Sequence, residues 1–175
     1  MLRATILAAA AAALLLAAPA GAATYQVQGK QKAIDEDAGI FNMSGGLVGR
    51  WTTTSFEQTA VAPYYEGKGT EEFKGCIDRR GDRSCKGDPS GTLSFEFRYW
   101  ALFGSADPAS FAWGACWHPV VGGTGDLAGA VGVLTFVDSP TESGVKTAYV
   151  GSITTKGGKA SRRAVKATAP QRPSC

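Results

Sequence analysis

The chain has 175 residues, with 23 glycines, 8 prolines, 4 cysteines, one histidine and a formal net charge of +3. Residues 24–153 carry 11 Lys/Arg against all 15 Asp/Glu, a net of −4, while residues 154–175 carry six basic residues and no acid. Such a length suits one domain with its own core, and an acidic body gives nucleic-acid binding by that domain no basis.

The first element is a leader. Met1-Leu2-Arg3 is a short positive head, Ile6 to Leu16 is an apolar run, and Pro19 precedes the small residues Ala20 to Ala23. This order predicts a secretory signal peptide over residues 1–23, cleaved after Ala22 or Ala23. The run is shorter than the roughly 20 apolar residues of a spanning helix, and no later segment approaches that length. The expectation is a secreted or periplasmic protein that does not span the membrane.

Beyond the leader, helical periodicity is almost absent and β-forming runs alternate with turn residues. Strands are expected at Tyr25–Gly29, Leu47–Phe56, Tyr64–Cys76, Gly91–Phe103, Phe111–Val121, Val131–Val137 and Val145–Ile153. The fourth is the clearest, with Leu93, Phe95, Phe97 and Tyr99 on one face and Ser94, Glu96 and Arg98 on the other. Alternation of this kind marks a strand buried on one side. Tyr64–Cys76, rich in Glu and Lys, reads as half exposed. Turns are expected at 86–91, 104–108 and Asp138-Ser139-Pro140. Seven or eight such strands make an all-β barrel or sandwich. The basic tail, 154–175, lacks the apolar residues to offset its ordering entropy and reads as disordered.

All four cysteines follow the leader. Cys76 and Cys85 flank a polar stretch between two strand-like runs, which favours a Cys76–Cys85 disulfide; Cys116 is either a buried free thiol or a partner for Cys175. No zinc pattern is present, and Asp78, Asp82 and Asp88 lie among three arginines in an order unlike a calcium loop, so no metal is expected.

Residues 118–136 carry the most information. Gly123-x-Gly125-x-x-x-Gly129 does not match the dinucleotide fingerprint, and a Gly-rich strand follows where that fold needs a helix. Val120-Val121-Gly122-Gly123-Thr124-Gly125-Asp126-Leu127-Ala128-Gly129-Ala130-Val131-Gly132 instead resembles the glycine motif of the allene oxide cyclase and dirigent superfamily, closest to its exported bacterial barrel-like branch. The resemblance extends loosely over residues 24–153 and implies an eight-stranded antiparallel calycin-like β-barrel. A barrel of that size holds side chains or one small ligand. In that setting Gly122, Gly123 and Gly125 let the backbone take positive φ and pass close to a neighbour, Asp126 caps the following turn, and Gly129 and Gly132 make room for strand crossing or for a bulge. The family's cyclases place a carboxylate and an amide on the first strand; the comparable place here reads Tyr25-Gln26-Val27-Gln28-Gly29, with neutral glutamines.

His118, held extended by Pro119, fits two roles: an acid–base group in a barrel mouth, or a structural histidine, which the lack of a paired nucleophile favours. Trp51, Phe95, Phe97, Tyr99, Trp113 and Trp117 either pack the core or, with His118, line an apolar pocket. The first expectation is a secreted barrel binding a small apolar or aromatic molecule, with no cofactor and with self-association in scope. The alternatives are a cofactor-free cyclase or isomerase, a dirigent-like protein, or a structural protein whose barrel is filled by side chains.

Overall fold

The computed structural model describes residues 21–60, 63–105, 107–142 and 144–156. Nearly all of the predicted signal peptide and tail, and Cys175 with them, lie outside the described residues. Eight antiparallel strands close into a barrel in which each pairs with its neighbour in sequence and the last with the first. They are β1 (Ala22–Asp35), β2 (Ile40–Gly45), β3 (Leu47–Ala60), β4 (Tyr64–Ile77), β5 (Ser90–Phe103), β6 (Phe111–Gly123), β7 (Val131–Thr141) and β8 (Gly144–Lys156). Two 3₁₀ turns, Pro108–Ser110 and Gly125–Leu127, are the only helical pieces among the described residues. None is long and apolar enough to cross a membrane. The calycin-like barrel expected from the glycine motif is the observed fold.

The alternation on β5 sets the inside and the outside. Leu93, Phe95 and Phe97 are buried while Glu96 and Arg98 are exposed. The short β2 gave no clear sequence signal because six residues between Gly39 and Gly46 show little alternation; Met43 alone among them is buried. β1 runs to Asp35 and β8 to Lys156, so residues 154–156 pair with Ala22 to Thr24 rather than beginning the tail.

One end of the barrel is closed by side chains. Leu47, Ile77, Leu93, Leu127 and Ile153 are completely or almost completely buried there. The Cys76–Cys85 disulfide ties the loop after β4 at this end, as expected from the flanking strands. Within that loop Asp78 accepts the backbone amides of Arg80, Gly81 and Arg83. Asp88 is buried against Arg79 at 2.8 Å and Arg80 at 3.5 Å. The carboxyl oxygens of Asp78, Asp82 and Asp88 lie within 4.8 Å of one another, but amides and guanidinium groups already engage them.

The glycine motif closes the same end. Gly125 and Gly129 take φ of +62° and +64°, a left-handed backbone that suits glycine. A side chain at Gly123 would start 2.3 Å from the Leu127 carbonyl oxygen. Asp126 does not cap its own turn: its carboxylate accepts the amide of Ser90, 3.2 Å away, and so ties the motif to β5. Thr124 lies at the N-cap instead, with its side chain taken by Thr92.

Tyr149 fastens β8 to the β2–β3 turn. Its hydroxyl accepts the Leu47 amide at 2.7 Å and donates to the Ser44 carbonyl at 3.1 Å. Gly29 makes room for the ring, since a Cβ there would lie 2.6 Å from the hydroxyl. Tyr149→Phe strands a buried amide and should lower stability by about 1–3 kcal/mol. Equilibrium urea unfolding measures this, and an unchanged midpoint would show that the hydroxyl contributes nothing.

Candidate functional site

The interior above the closed end is aromatic and carries a few polar groups. Trp51 of β3 and Phe95 of β5 stack at 4.6 Å, and Trp51 also meets Phe73 at 6.4 Å and Phe136 at 5.0 Å. His118 of β6 enters this cluster. It is 3 % exposed, 4.4 Å from Phe136 and 5.7 Å from the stacked ring of Phe97, with Trp51 edge-on at 5.5 Å. His118 Nε2 lies 2.8 Å from Glu71 Oε2 of β4, and the Thr53 hydroxyl donates to Glu71 Oε1 at 3.0 Å. Among the described residues, His118 Nδ1, Trp51 Nε1 and Glu71 Oε2 are buried without an aligned hydrogen-bond partner, Oε2 meeting Nε2 only as a close polar contact, which is uncommon for native polar atoms.

Nearer the other end, Tyr99 of β5 and Asp138 of β7 converge over Gly114 of β6. A Cβ at Gly114 would lie 3.0 Å from the Tyr99 hydroxyl and 3.3 Å from Asp138 Oδ2. Thr147 of β8 donates its hydroxyl to Asp138 Oδ1 at 2.5 Å. Tyr99, Asp138 and Thr147 are half-buried. Tyr65, Phe103 and Phe111 form the aromatic rim of this end, with ring centroids 4.9 and 5.5 Å apart.

Burial holds the Asp138 carboxyl above its ordinary value of 3.8, against the pull of the Thr147 hydroxyl and the His118 charge. Burial likewise raises the Tyr99 phenol, aided by the charges of Asp138 and Cys116. The Cys116 thiol, on the same inner face of β6, is pushed well above its ordinary value by burial and then by Asp138 and Glu71. That favours the thiol over the more reactive thiolate. For Asp138 the linkage has a definite sign. Unfolded, it releases its proton near 3.8; folded, it keeps it to higher pH. Between the two values the native state binds more protons, so stability falls as pH rises. Asp138→Asn should remove that decline. Urea unfolding at intervals from about pH 4 to about pH 7 measures it, and a wild-type-minus-variant difference that stays flat would refute it.

The residues expected to line a pocket divide between the two faces. Trp51, Phe95, Phe97, Tyr99 and His118 meet inside the barrel. Trp113 and Trp117 do not: they alternate with the inward Gly114, Cys116 and His118 and stand exposed on the outer wall, at 44 % and 47 %. The bulky indoles of β6 sit at odd positions while its interior face takes the even ones, so aromatic character alone misplaced them. Trp117 joins Lys68, Thr70, Glu96 and Arg98 along an outer groove of about 420 Å³.

Glu71, Thr53, Asp138 and Thr147 belong to the interior without having been singled out from sequence. The signal for Glu71 was period two on β4, where Gly67, Gly69, Glu71 and Phe73 share a face. For Asp138 it was the series Leu134, Phe136, Asp138, hidden because Asp138-Ser139-Pro140 reads as a turn while the strand continues to Thr141. The interior carboxylates thus come from β4 and β7; on β1, Gln26 and Gln28 face outward and are exposed.

These features define a closed antiparallel barrel with one stitched end and a polar, aromatic interior at the other. No known family model, curated protein or solved structure matches the chain.

Proposed function

We propose that this is an exported barrel protein that takes a small apolar or aromatic molecule bearing a polar group into the end of the barrel away from the disulfide. The observation that carries this is the convergence of Glu71, His118, Tyr99 and Asp138 on an aromatic interior, with His118 Nδ1 lacking a partner among the described residues. A few convergent polar groups on apolar walls are the usual build of a ligand site. A barrel filled only for structure has no need of a buried carboxylate beside an imidazole with an unpartnered nitrogen, since burying charge is costly. The signal-like leader and the Cys76–Cys85 bridge support export, because disulfides persist in oxidising compartments. The eight-stranded closure and the glycine motif support kinship with the allene oxide cyclase and dirigent superfamily. The outward Gln26 and Gln28 argue that this chain works with a different set of polar groups from the cyclases.

Native mass spectrometry of the protein taken from its own secreted fraction tests the reading. A small-molecule adduct is expected on the wild type, with reduced occupancy in Asp138→Asn. Bare protein from that fraction, still bare after incubation with extract of the producing cells, would leave the structural alternative.

A further inference from the structure

We propose that the molecule this chamber selects is a cation, a small organic amine or quaternary ammonium compound with an apolar body. The proposal rests on the preceding reading of the barrel as a small-molecule chamber and adds the sign of the ligand's charge.

The sorting of charge between the two faces carries the inference. The strands hold eight Lys and Arg: Lys30, Lys32, Arg50, Lys68, Lys74, Arg98, Lys146 and Lys156. Every one is exposed. Among the described residues, the inner face holds two carboxylates, Glu71 and Asp138, and His118 is the one basic group that joins them. His118 is already engaged by Glu71 at 2.8 Å. Asp138 has Thr147 as its hydrogen-bond donor, and no described Lys or Arg is bound to it. A ligand that enters therefore meets a carboxylate near the mouth and a neutral or balanced pair below. Low-dielectric walls lengthen the reach of that field.

The walls are suited to the same partner. Phe97, Phe136, Tyr99 and Trp51 present aromatic surface around the polar groups. Ring faces attract cations, by up to about 2 kcal/mol when both are desolvated. An anion of the same shape would meet the carboxylates and the ring faces, both repulsive, and no described guanidinium or ammonium inside to receive it. The unpartnered His118 Nδ1 also offers a polar atom to a ligand that carries N–H groups, such as a primary or secondary amine.

Three probes of similar shape separate the possibilities: benzyltrimethylammonium, its neutral carbon analogue neopentylbenzene, and the anion phenylacetate, each titrated into the full secreted protein by calorimetry. The cation should bind at least about tenfold more tightly than the neutral analogue, a difference of about 1.4 kcal/mol. Phenylacetate should bind more weakly than either. Asp138→Asn, at a half-buried and isosteric position, should erase the preference for the cation, so that the cation and neopentylbenzene bind alike. The permanent charge of the probe isolates the protein's own titration. Asp138 faces Tyr99, Cys116, His118 and, beyond them, Glu71; burial holds its proton above the ordinary carboxylate range, so the cation should displace that proton and bind more tightly as pH rises through the titration of this group. If the neutral or anionic probe binds as well as the cation, the charge assignment is wrong and the chamber reading survives. If none of the three binds, the chamber reading falls and takes this one with it.

Discussion

Trp51→Ala should lower stability by about 3–5 kcal/mol, the range for removing a large aromatic from a packed core. Trp51 has no exposed surface, and four rings surround it: Phe95 at 4.6 Å, Phe136 at 5.0 Å, His118 at 5.5 Å and Phe73 at 6.4 Å. They come from β4, β5, β6 and β7, so one indole joins five of the eight strands. Those strands are held by backbone pairing and cannot collapse inward to fill the gap. The loss should therefore lie toward the top of the range, because cost grows with the cavity left behind. In a domain of this size it corresponds to a fall of roughly 10–20 °C in Tm. Circular dichroism melts and urea titration measure it, and a loss below about 1 kcal/mol would mean that the core repacks freely.

The buried pair gives the second large effect, and its non-additivity is the informative part. His118→Leu leaves the Glu71 carboxylate buried, with the Thr53 hydroxyl as its remaining partner, and should cost about 3–5 kcal/mol. Glu71→Leu leaves the imidazole with both nitrogens unpartnered in an aromatic cage and should also destabilise, though less, because a neutral ring tolerates burial better than a carboxylate. The double variant replaces the buried carboxylate and its imidazole neighbour with two apolar side chains and should recover most of the loss. A double-mutant cycle in urea measures the coupling. Losses that simply add would show that the two groups act independently, and the 2.8 Å contact would then carry no net interaction.

Much of the fold was legible because β5 alternates cleanly and because glycines and prolines punctuate the chain between strands. The disulfide was legible from its flanking strands. What escaped has a common physical origin. The sequence shows residue type, whereas the site is set by parity along each strand. Glu71 looks like a surface residue until Phe73 fixes the inner face of β4, and Trp117 looks like a pocket residue until His118 claims the inner face of β6. Bulges add to the difficulty, as between Thr53 and Ser55, where the register of β3 shifts and Phe56 comes to stack on Phe97. Asp138 was hidden by the Ser139-Pro140 pair that follows it. No single-residue property separates the faces, but the register does.

The chain contains one imidazole, and the fold places it in the aromatic interior beside Glu71. A proton NMR spectrum of the whole protein therefore has a single set of histidine ring resonances, assigned by inspection. Any guest that settles among Trp51, Phe97 and Phe136 must shift those lines through ring currents. The molecule thus carries an intrinsic reporter for screening candidate guests of any structure, without isotopic or fluorescent labelling.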